Sequence, residues 1–510
     1  MKTQFKILFF VLLLSVAAAQ PKLVPVTILH WNDFHAQNEP YTVTVKSRET
    51  GRDTSFTVAG TATLLGYLNK YRRESPNPVL LHAGDDFQGT PVSSLTYGRS
   101  QIELLNLLKP DAMTLGNHEF DYGSEKLRSY FPLAHFPILA ANVYDTIRHE
   151  LFAQATRIIK TGGVTIGVIG LTHPRLETIV IRDSLVGLVM LDIDSVATNH
   201  IRAFRQQGVD LIVAVTHMGL RSDSLLAMNH PEIDVIVSGH DHVPLFTPKR
   251  VNRTIIVQAG RWGRYVGKLD LQVDTTEDSV YSFAGRLIET RTSDITPDLM
   301  AEREVERLVG DLRAAMEEVI GELKTPWVRS PERRRSESNI GSWQTDAMRA
   351  YAKTDIAIQN STGIRTGLEA GPIKVGDIWR MNPFGNYFVV FEVDEKTLRS
   401  MLEFQSSVST QEWCQVGGVR YTFDSRKLAG QKVQSVEVGG KSIEEGKIYT
   451  VVTNNYVTSN IPAHFGIDPK GLKFRMLPAM DRDVFIDAVR QQKVISSFTD
   501  GRILDLGAIR

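Results

Sequence analysis

Met113-Thr114-Leu115-Gly116-Asn117-His118-Glu119-Phe120-Asp121 runs from a short apolar stretch straight into a glycine and a cluster of polar side chains. Met113 to Leu115 reads as a buried strand, and everything able to carry chemistry stands at its end. The same pattern recurs both upstream and downstream. Val24 to Leu29 leads to Asp33-Phe34-His35, and Val79 to Leu81 leads to Gly84-Asp85. Leu211 to Val215 leads to His217, and Val235 to Val237 leads to Gly239-His240-Asp241-His242. Short β-branched runs separated by helical segments predict a layered α/β fold, in which the carboxyl ends of neighbouring strands share one crevice. Clusters spread over much of the chain are therefore expected to meet.

The residue types set the chemistry of that meeting point. Asp33 and His35 at i and i+2 of an extended chain project to one side and can share an ion, and His240 and His242 repeat the spacing. Asp85 stands alone after its strand, as a bridging carboxylate should, while Asn117 adds a carbonyl oxygen and His217 another imidazole. Two divalent ions roughly 3.5–4 Å apart clamp the attacking and leaving oxygens of an in-line displacement. A mixed nitrogen and oxygen set without thiolate suits Zn, Mn, Fe or Co better than calcium. His118 and Asp121, at i and i+3, fall on one face if a helical turn begins after Asn117. A carboxylate-held imidazolium there can stabilise a transferred phosphoryl group or protonate a leaving oxygen. Gly84-Asp85 taken alone is an ordinary turn signal, and Asp33-x-His35 alone an ordinary loop; the ordered set is what points to a dinuclear site. Glu119 and Asp241 are expected to support ligands rather than bind metal, and His82, His173 and His230 fall outside the set.

The order Asp-x-His, Gly-Asp, Gly-Asn-His-Glu-Phe-Asp, His, Gly-His-x-His resembles the calcineurin-like metallophosphoesterases, and Gly116 to Asp121 resembles their 5′-nucleotidase branch. The resemblance implies a four-layer α-β-β-α amino-terminal domain and an α+β carboxyl-terminal substrate domain. It implies that Asp33, His35, Asp85 and His242 hold one ion and Asp85, Asn117, His217 and His240 the other, with His118 and Asp121 as the catalytic pair. It also implies substrate contacts from Arg334, Asn360 and Arg365, with Phe384 and Tyr456 stacking on a base. His242 departs from the Gln or Asn that several of these nucleotidases carry. After Tyr456, where a Gly-Gly-Asp-Gly-like turn is common in the family, this chain reads Ser459-Asn460-Ile461-Pro462-Ala463-His464-Phe465-Gly466. Other substrates on the same scaffold therefore stay open: UDP-sugars, 2′,3′-cyclic nucleotides, dinucleotides or a sulfur ester. A non-catalytic nucleotide-binding protein is the remote alternative.

With 510 residues, 42% hydrophobic and 23% charged, the chain is an ordinary globular protein too long for one core. Basic and acidic residues balance at 58 each, so no global field favours a nucleic acid polymer or an anionic membrane. Lys2 and Lys6, the apolar run Ile7 to Val16 and Ala17-Ala18-Ala19 read as a signal peptide, residues 1–19, too short to span a bilayer. An uncleaved amino-terminal anchor is the alternative. Cys414 is the single cysteine, which rules out an intrachain disulfide and fits a periplasmic or secreted enzyme better than an animal surface protein. No stable membrane anchor is expected, and the expected partner is a nucleotide or related small phosphoester.

The chain is expected to divide into a metallophosphoesterase domain at 25–290, a linker helix at 297–323 and a substrate domain at 325–506. A helix capped by Asp194 and ended by Gly208 is expected in the first domain, with edge hairpins from Tyr265 to Val273 and Tyr281 to Ile288. Val305, Leu308, Val309, Leu312 and Met316 alternate with charges at helical spacing in the linker. A helix over Ile340 to Ala352, a strand at Ile356 to Ile358 and a helix near Glu395 to Phe404 are expected in the second domain. Arg365 beside Asn360, together with the loop Asn382-Pro383-Phe384-Gly385-Asn386, suits a planar base with a charged tail. Because the base site and metals fall on separate domains, movement about the joint is expected to gate turnover.

Overall fold

In the computed structural model, residues 21–46, 53–329, 336–408 and 413–508 are described. The expected signal peptide and Arg334 lie outside the described residues. Two six-stranded sheets form the first domain. One runs in the order Ser279–Glu289, Tyr265–Asp274, Leu23–Trp31, Pro78–His82, Ala112–Thr114, Ile138–Leu139. The other runs Lys249–Val251, Thr254–Val257, Val235–Val237, Leu211–His217, Val164–Thr172, Thr156–Thr161. Four neighbouring strands of each sheet are parallel; antiparallel strands close both edges of the second sheet and one edge of the first, where the expected pair Tyr265–Asp274 and Ser279–Glu289 stands, while Ile138–Leu139 ends the first sheet parallel to Ala112–Thr114.

Period-two alternation places each strand between two cores. Ile28, Leu81, Val213, Val215 and Val237 point into the apolar layer between the sheets, while Leu29, Leu80 and Met113 face the helices Thr61–Glu74 and Arg99–Leu108. On the far side Ile212, Ala214 and Ile236 meet Ile201, Phe204 and Leu226 of the helices Ile193–Gln206 and Leu220–Asn229. Each fully buried aliphatic side chain contributes about 1.5–3 kcal/mol, so helix, sheet, sheet and helix adhere as four layers.

Two expectations are corrected. Asp192, not Asp194, caps the helix Ile193–Gln206: its backbone is still extended and its carboxylate accepts from Ser195 N at 2.9 Å, while Asp194, already in the first turn, meets His230 Nε2 at 2.9 Å. The joint is helical only over Leu299–Met316, capped by Asp298. Val319–Leu323 is instead a strand, antiparallel to Gly371–Lys374 and parallel to Val494–Ile495. β-branched Val319 and Ile320 favour extension, and at Gly321 a Cβ would come within 2.6 Å of Val489, so only glycine admits the packing. The helix rides on the first domain, with Ala301 and Val305 buried and Arg307 paired with Glu103 at 3.0 Å.

The second domain is built on a five-stranded sheet ordered Cys414–Gly417, Ile356–Asn360, Ile448–Asn454, Tyr387–Asp394, Arg475–Met480. The helices Asn339–Ala352 and Asp481–Gln492 join one of its cores and the helix Glu395–Gln405 another.

Candidate active site

Five of the seven expected ligands sit where strands end and the backbone turns left-handed: Asp33 (φ 50°), His35 (49°), Asp85 (58°), His240 (83°) and His242 (58°). Each such non-glycine residue costs about 1–3 kcal/mol and persists only where its surroundings hold it. Backbone bonds between the loops do so: Asp33 N donates to Gly84 O at 2.9 Å and His35 N to Asp85 O at 3.0 Å. A Cβ on Gly116 would lie 2.2 Å from Asp85 Oδ1, and one on Gly84 would lie 2.6 Å from Gly116 N, so these loops meet only through glycine. Buried Glu119 ties them together. Its carboxylate accepts from Asp85 N, Asp86 N, Phe87 N and Gly116 N at 3.0, 2.7, 3.2 and 2.7 Å.

The strand ends bring the expected donors into neighbouring clusters. Asp33, His35 and His242 offer ligand atoms within 4.8 Å of one another, as do Asp85, His217 and His240. Asp85 also clusters with His35 and His118, which gives it a place in both halves. His242 Nε2 lies 3.2 Å from Asp33 Oδ1 and 3.0 Å from His35 Nε2, while His217 Nε2 lies 3.0 Å from Asp85 Oδ2. Asn117 joins the second cluster, its Oδ1 3.0 Å from His240 Nδ1.

Protonation matches metal binding. Burial lowers the pKa of His35 far below the imidazole range and of His240 to about 4, and it lowers that of His242 as well, so burial favours the neutral imidazole at all three. Burial would raise the Asp33 and Asp85 carboxyls, but facing histidines outweigh it and keep both ionised. Burial would likewise lower His217, yet Asp85 and Asp33 raise it to about 10: it carries a proton between two carboxylates, where a cation would take the proton's place. Two imidazole Nε2 atoms converging with one carboxylate oxygen form a poor hydrogen-bonding set and a good ligand set. The residues present fit divalent cations.

His118 opens a single 3-10 turn, His118–Phe120, and its Nδ1 bonds Asp121 Oδ2 at 2.6 Å. Burial opposes a charged imidazole here, but Asp121 and Asp85 outweigh it and hold the His118 pKa above its ordinary value. Its Nε2 faces the cluster, 4.0 Å from Asp85 Oδ2. A cavity of about 350 Å³ opens beside it, with Asp85, Asn117 and His118 on one wall and Asn360, Arg365, Phe384 and Tyr456 on the other.

A calcineurin-like phosphoesterase domain matches residues 26–244, and a 5′-nucleotidase, C-terminal domain, matches residues 319–462. The chain belongs to the 5′-nucleotidase family. It is a metal-dependent phosphoester hydrolase. It is 29% identical to the 5′-nucleotidase of Diplobatis ommata over 529 residues, 94% of this chain and 89% of that one. Its structure superposes on the 5′-nucleotidase precursor of Thermus thermophilus with a TM-score of 0.85 at 29% identity, covering 95% of this chain and 99% of that one. Against endonuclease YhcR of Bacillus subtilis (strain 168) it is 28% identical over 475 residues, 88% of this chain but only 38% of the larger protein.

On the cavity wall contributed by the second domain, Phe384 stacks on His118 with ring centroids 5.5 Å apart. Arg365 lies over Phe384 at 5.6 Å, its pKa lowered to about 10 by burial and by Arg329 and Arg261. Tyr456 meets the ring of His464, which stands in the short helix Ile461–Phe465 of the segment that departs from the family and lines the same cavity. Asn360 accepts from Asn454 Nδ2 at 2.8 Å, which fixes its amide at the cavity wall. Three further residues reach the site that were not among the expected site residues. Asn386 lines the cavity from the Phe384 loop, and His173 lines it with its ring 5.1 Å from that of His240. Arg261 Nη1 reaches to 3.2 Å from His242 Nδ1. Arg261 carried a usable signal, since Gly260-Arg261 follows a strand end as the other clusters do.

Proposed function

We propose that this chain is a periplasmic or secreted 5′-nucleotidase that releases phosphate from nucleotides with two divalent cations. The observation that carries this reading is the cavity of about 350 Å³ that joins the candidate cation ligands of one domain to aromatic and guanidinium groups of the other. Asp33, His35, Asp85 and His242 would hold one cation, and Asp85, Asn117, His217 and His240 the second. When bound, such a pair supplies Lewis-acid charge and a water of lowered pKa at the phosphorus. Phe384 and Tyr456 hold the base between them, and Asn360 and Asn386 offer amides to its edge or to the sugar. Arg365 forks onto phosphate oxygens, and Arg334 is assigned the same task. His118, charged against Asp121, offers its Nε2 proton to the oxygen that departs with the nucleoside.

The altered segment Ser459–Gly466 leaves neighbouring substrates in contention, and the test is a panel on metal-reconstituted protein. AMP, UDP-glucose, a 2′,3′-cyclic nucleotide and a thiosulfonate conjugate are compared by kcat/KM. Highest efficiency on the mononucleotide supports the reading, and turnover of only the sulfur ester overturns it. Sequencing the amino terminus of the exported protein tests the leader, with cleavage after Ala19 expected.

A further inference from the structure

Asp223 is fully buried in the helix Leu220–Asn229 and belongs to neither the ligand clusters nor the cavity wall. Burial pushes its carboxyl up to about 7, against the pull of two hydroxyls. A carboxylate in such a place costs stability unless its hydrogen bonds offset the loss of water. Asp223 Oδ1 accepts from Thr216 Oγ1 at 2.7 Å, and Oδ2 accepts from Ser238 Oγ at 2.5 Å. The strands Leu211–His217 and Val235–Val237 pair in parallel as far as Val215 with Val237. Thr216 and Ser238 are the next residues, so the Asp223 carboxylate takes over where the ladder stops. His217 follows Thr216 directly, and His240 stands two positions after Ser238. Further bonds converge on the same point. Gln258 Nε2 donates to Ser238 Oγ at 2.8 Å and to Gly239 O at 3.2 Å, while its Oε1 accepts from Val243 N at 2.6 Å. Leu220 N, at the start of the helix, donates to Asp241 Oδ2 at 2.5 Å. The opening turn of one helix is thereby tied to both strand ends that carry imidazoles into the cluster.

We propose that Asp223 is a positioning residue for the second cation: by holding Thr216 and Ser238 it sets the separation of His217 and His240, and with it the affinity for the ion they share. The proposal rests on the two-cation reading above and names what tunes one half of the pair. Asp223 touches no reacting atom and acts through the two hydroxyls. Asp33 and His35, assigned to the first ion, follow the strand Leu23–Trp31 of the other six-stranded sheet, beyond the reach of this bridge. His242 shares the loop with His240 but has its own supports, Val243 N on Gln258 and Arg261 Nη1 at 3.2 Å from its Nδ1. Loss of the bridge therefore loosens His217 and His240 against each other and leaves the first set of donors in place.

The test titrates the metal-free full chain with manganese and counts the ions bound by equilibrium dialysis and elemental analysis. Wild type should fill two steps. Removing a group that orients metal ligands from behind weakens binding about 10–100-fold, so Asp223→Ala should move one step to that much higher free manganese and leave the other within about twofold. Crystals of the variant at intermediate manganese should keep the anomalous peak beside Asp33 and lose the one beside His217 and His240. Asp223→Asn, whose amide has the same shape and can bond both hydroxyls, should recover most of the affinity. Ser238→Ala cuts one arm of the bridge, should shift the same step by less, and serves if Asp223→Ala does not fold. Asp234 is the control: it is a buried carboxylate at the opposite end of the same two strands, accepting from Ile212 N at 2.9 Å. Asp234→Ala should lower the metal-free thermal midpoint and leave both manganese steps in place. The proposal is overturned if Asp223→Ala leaves both steps unmoved, shifts both alike or empties the peak beside Asp33. An equal shift in Asp234→Ala, or Asp223→Asn as weak as the alanine variant, overturns it too. Wild type that binds fewer than two manganese ions overturns the two-cation reading and this proposal with it.

Discussion

Asp85 Oδ2 lies 3.0 Å from His217 Nε2 and 4.0 Å from His118 Nε2, so one carboxylate faces both a proposed cation ligand and the imidazole proposed as catalytic. Asp85→Ala should therefore lose bound metal and phosphate release in parallel. His118→Asn should keep its metal by elemental analysis while kcat falls about 10²–10⁴-fold, the usual worth of a general acid. Equal metal loss in both variants would contradict the division of roles. That Asp33, His35, His240 and His242 gather was legible only from the ordered set of strand-end clusters, since an x-spaced pair by itself reads as an ordinary loop. His173 and Asn386 were not, since which way a loop side chain faces is decided by the packing of distant elements. The contact of His118 with Phe384 at 5.5 Å joins residues 266 positions apart, and no local pattern announces it.

The parallel strands were visible as short apolar runs, and the edge hairpin Tyr265–Asp274 with Ser279–Glu289 as alternation. The hairpin Tyr41–Lys46 with Asp53–Val58 went unread although Tyr41, Val43 and Val45 alternate with Thr42, Thr44 and Lys46, a period-two signal its half-buried face follows. Helical spacing marked the joint, but the change to a strand at Val319 depends on the partners Gly371–Lys374 and Val494–Ile495, both remote in sequence. Asp298 begins that joint helix, accepting from Met300 N at 3.0 Å and Ala301 N at 3.1 Å. Replacing it with alanine should cost about 1 kcal/mol, read as a lower thermal midpoint with metal content unchanged. A midpoint equal to wild type would remove the cap from the account.

Across the whole molecule the domains are closed on each other: Ser94 Oγ donates to Pro383 O at 3.2 Å beside the Phe384 ring. Asp481 supports that face, since its N–H donates to Asn386 O at 2.7 Å and burial pushes its carboxyl up to about 7. An unfolded aspartate titrates near 4. Between those values the folded chain binds the extra proton, so this group's stabilising share is present at low pH and is lost as pH rises toward 7, by at most about 1.4 kcal/mol per pH unit. Asp481→Asn should flatten the fall in thermal midpoint over that window, and an unchanged slope would refute the assignment. The two-domain plan was legible from length and from the run of site motifs, whereas the closed arrangement rests on side chains no motif contains. The central claim is that seven side chains from five strand ends gather around twin cations. Anomalous diffraction from crystals grown with manganese tests it most directly. Two peaks per chain are predicted, one within ligand distance of Asp33, His35 and His242, the other of Asn117, His217 and His240, with Asp85 between them. A single peak, or peaks away from these donors, would contradict it.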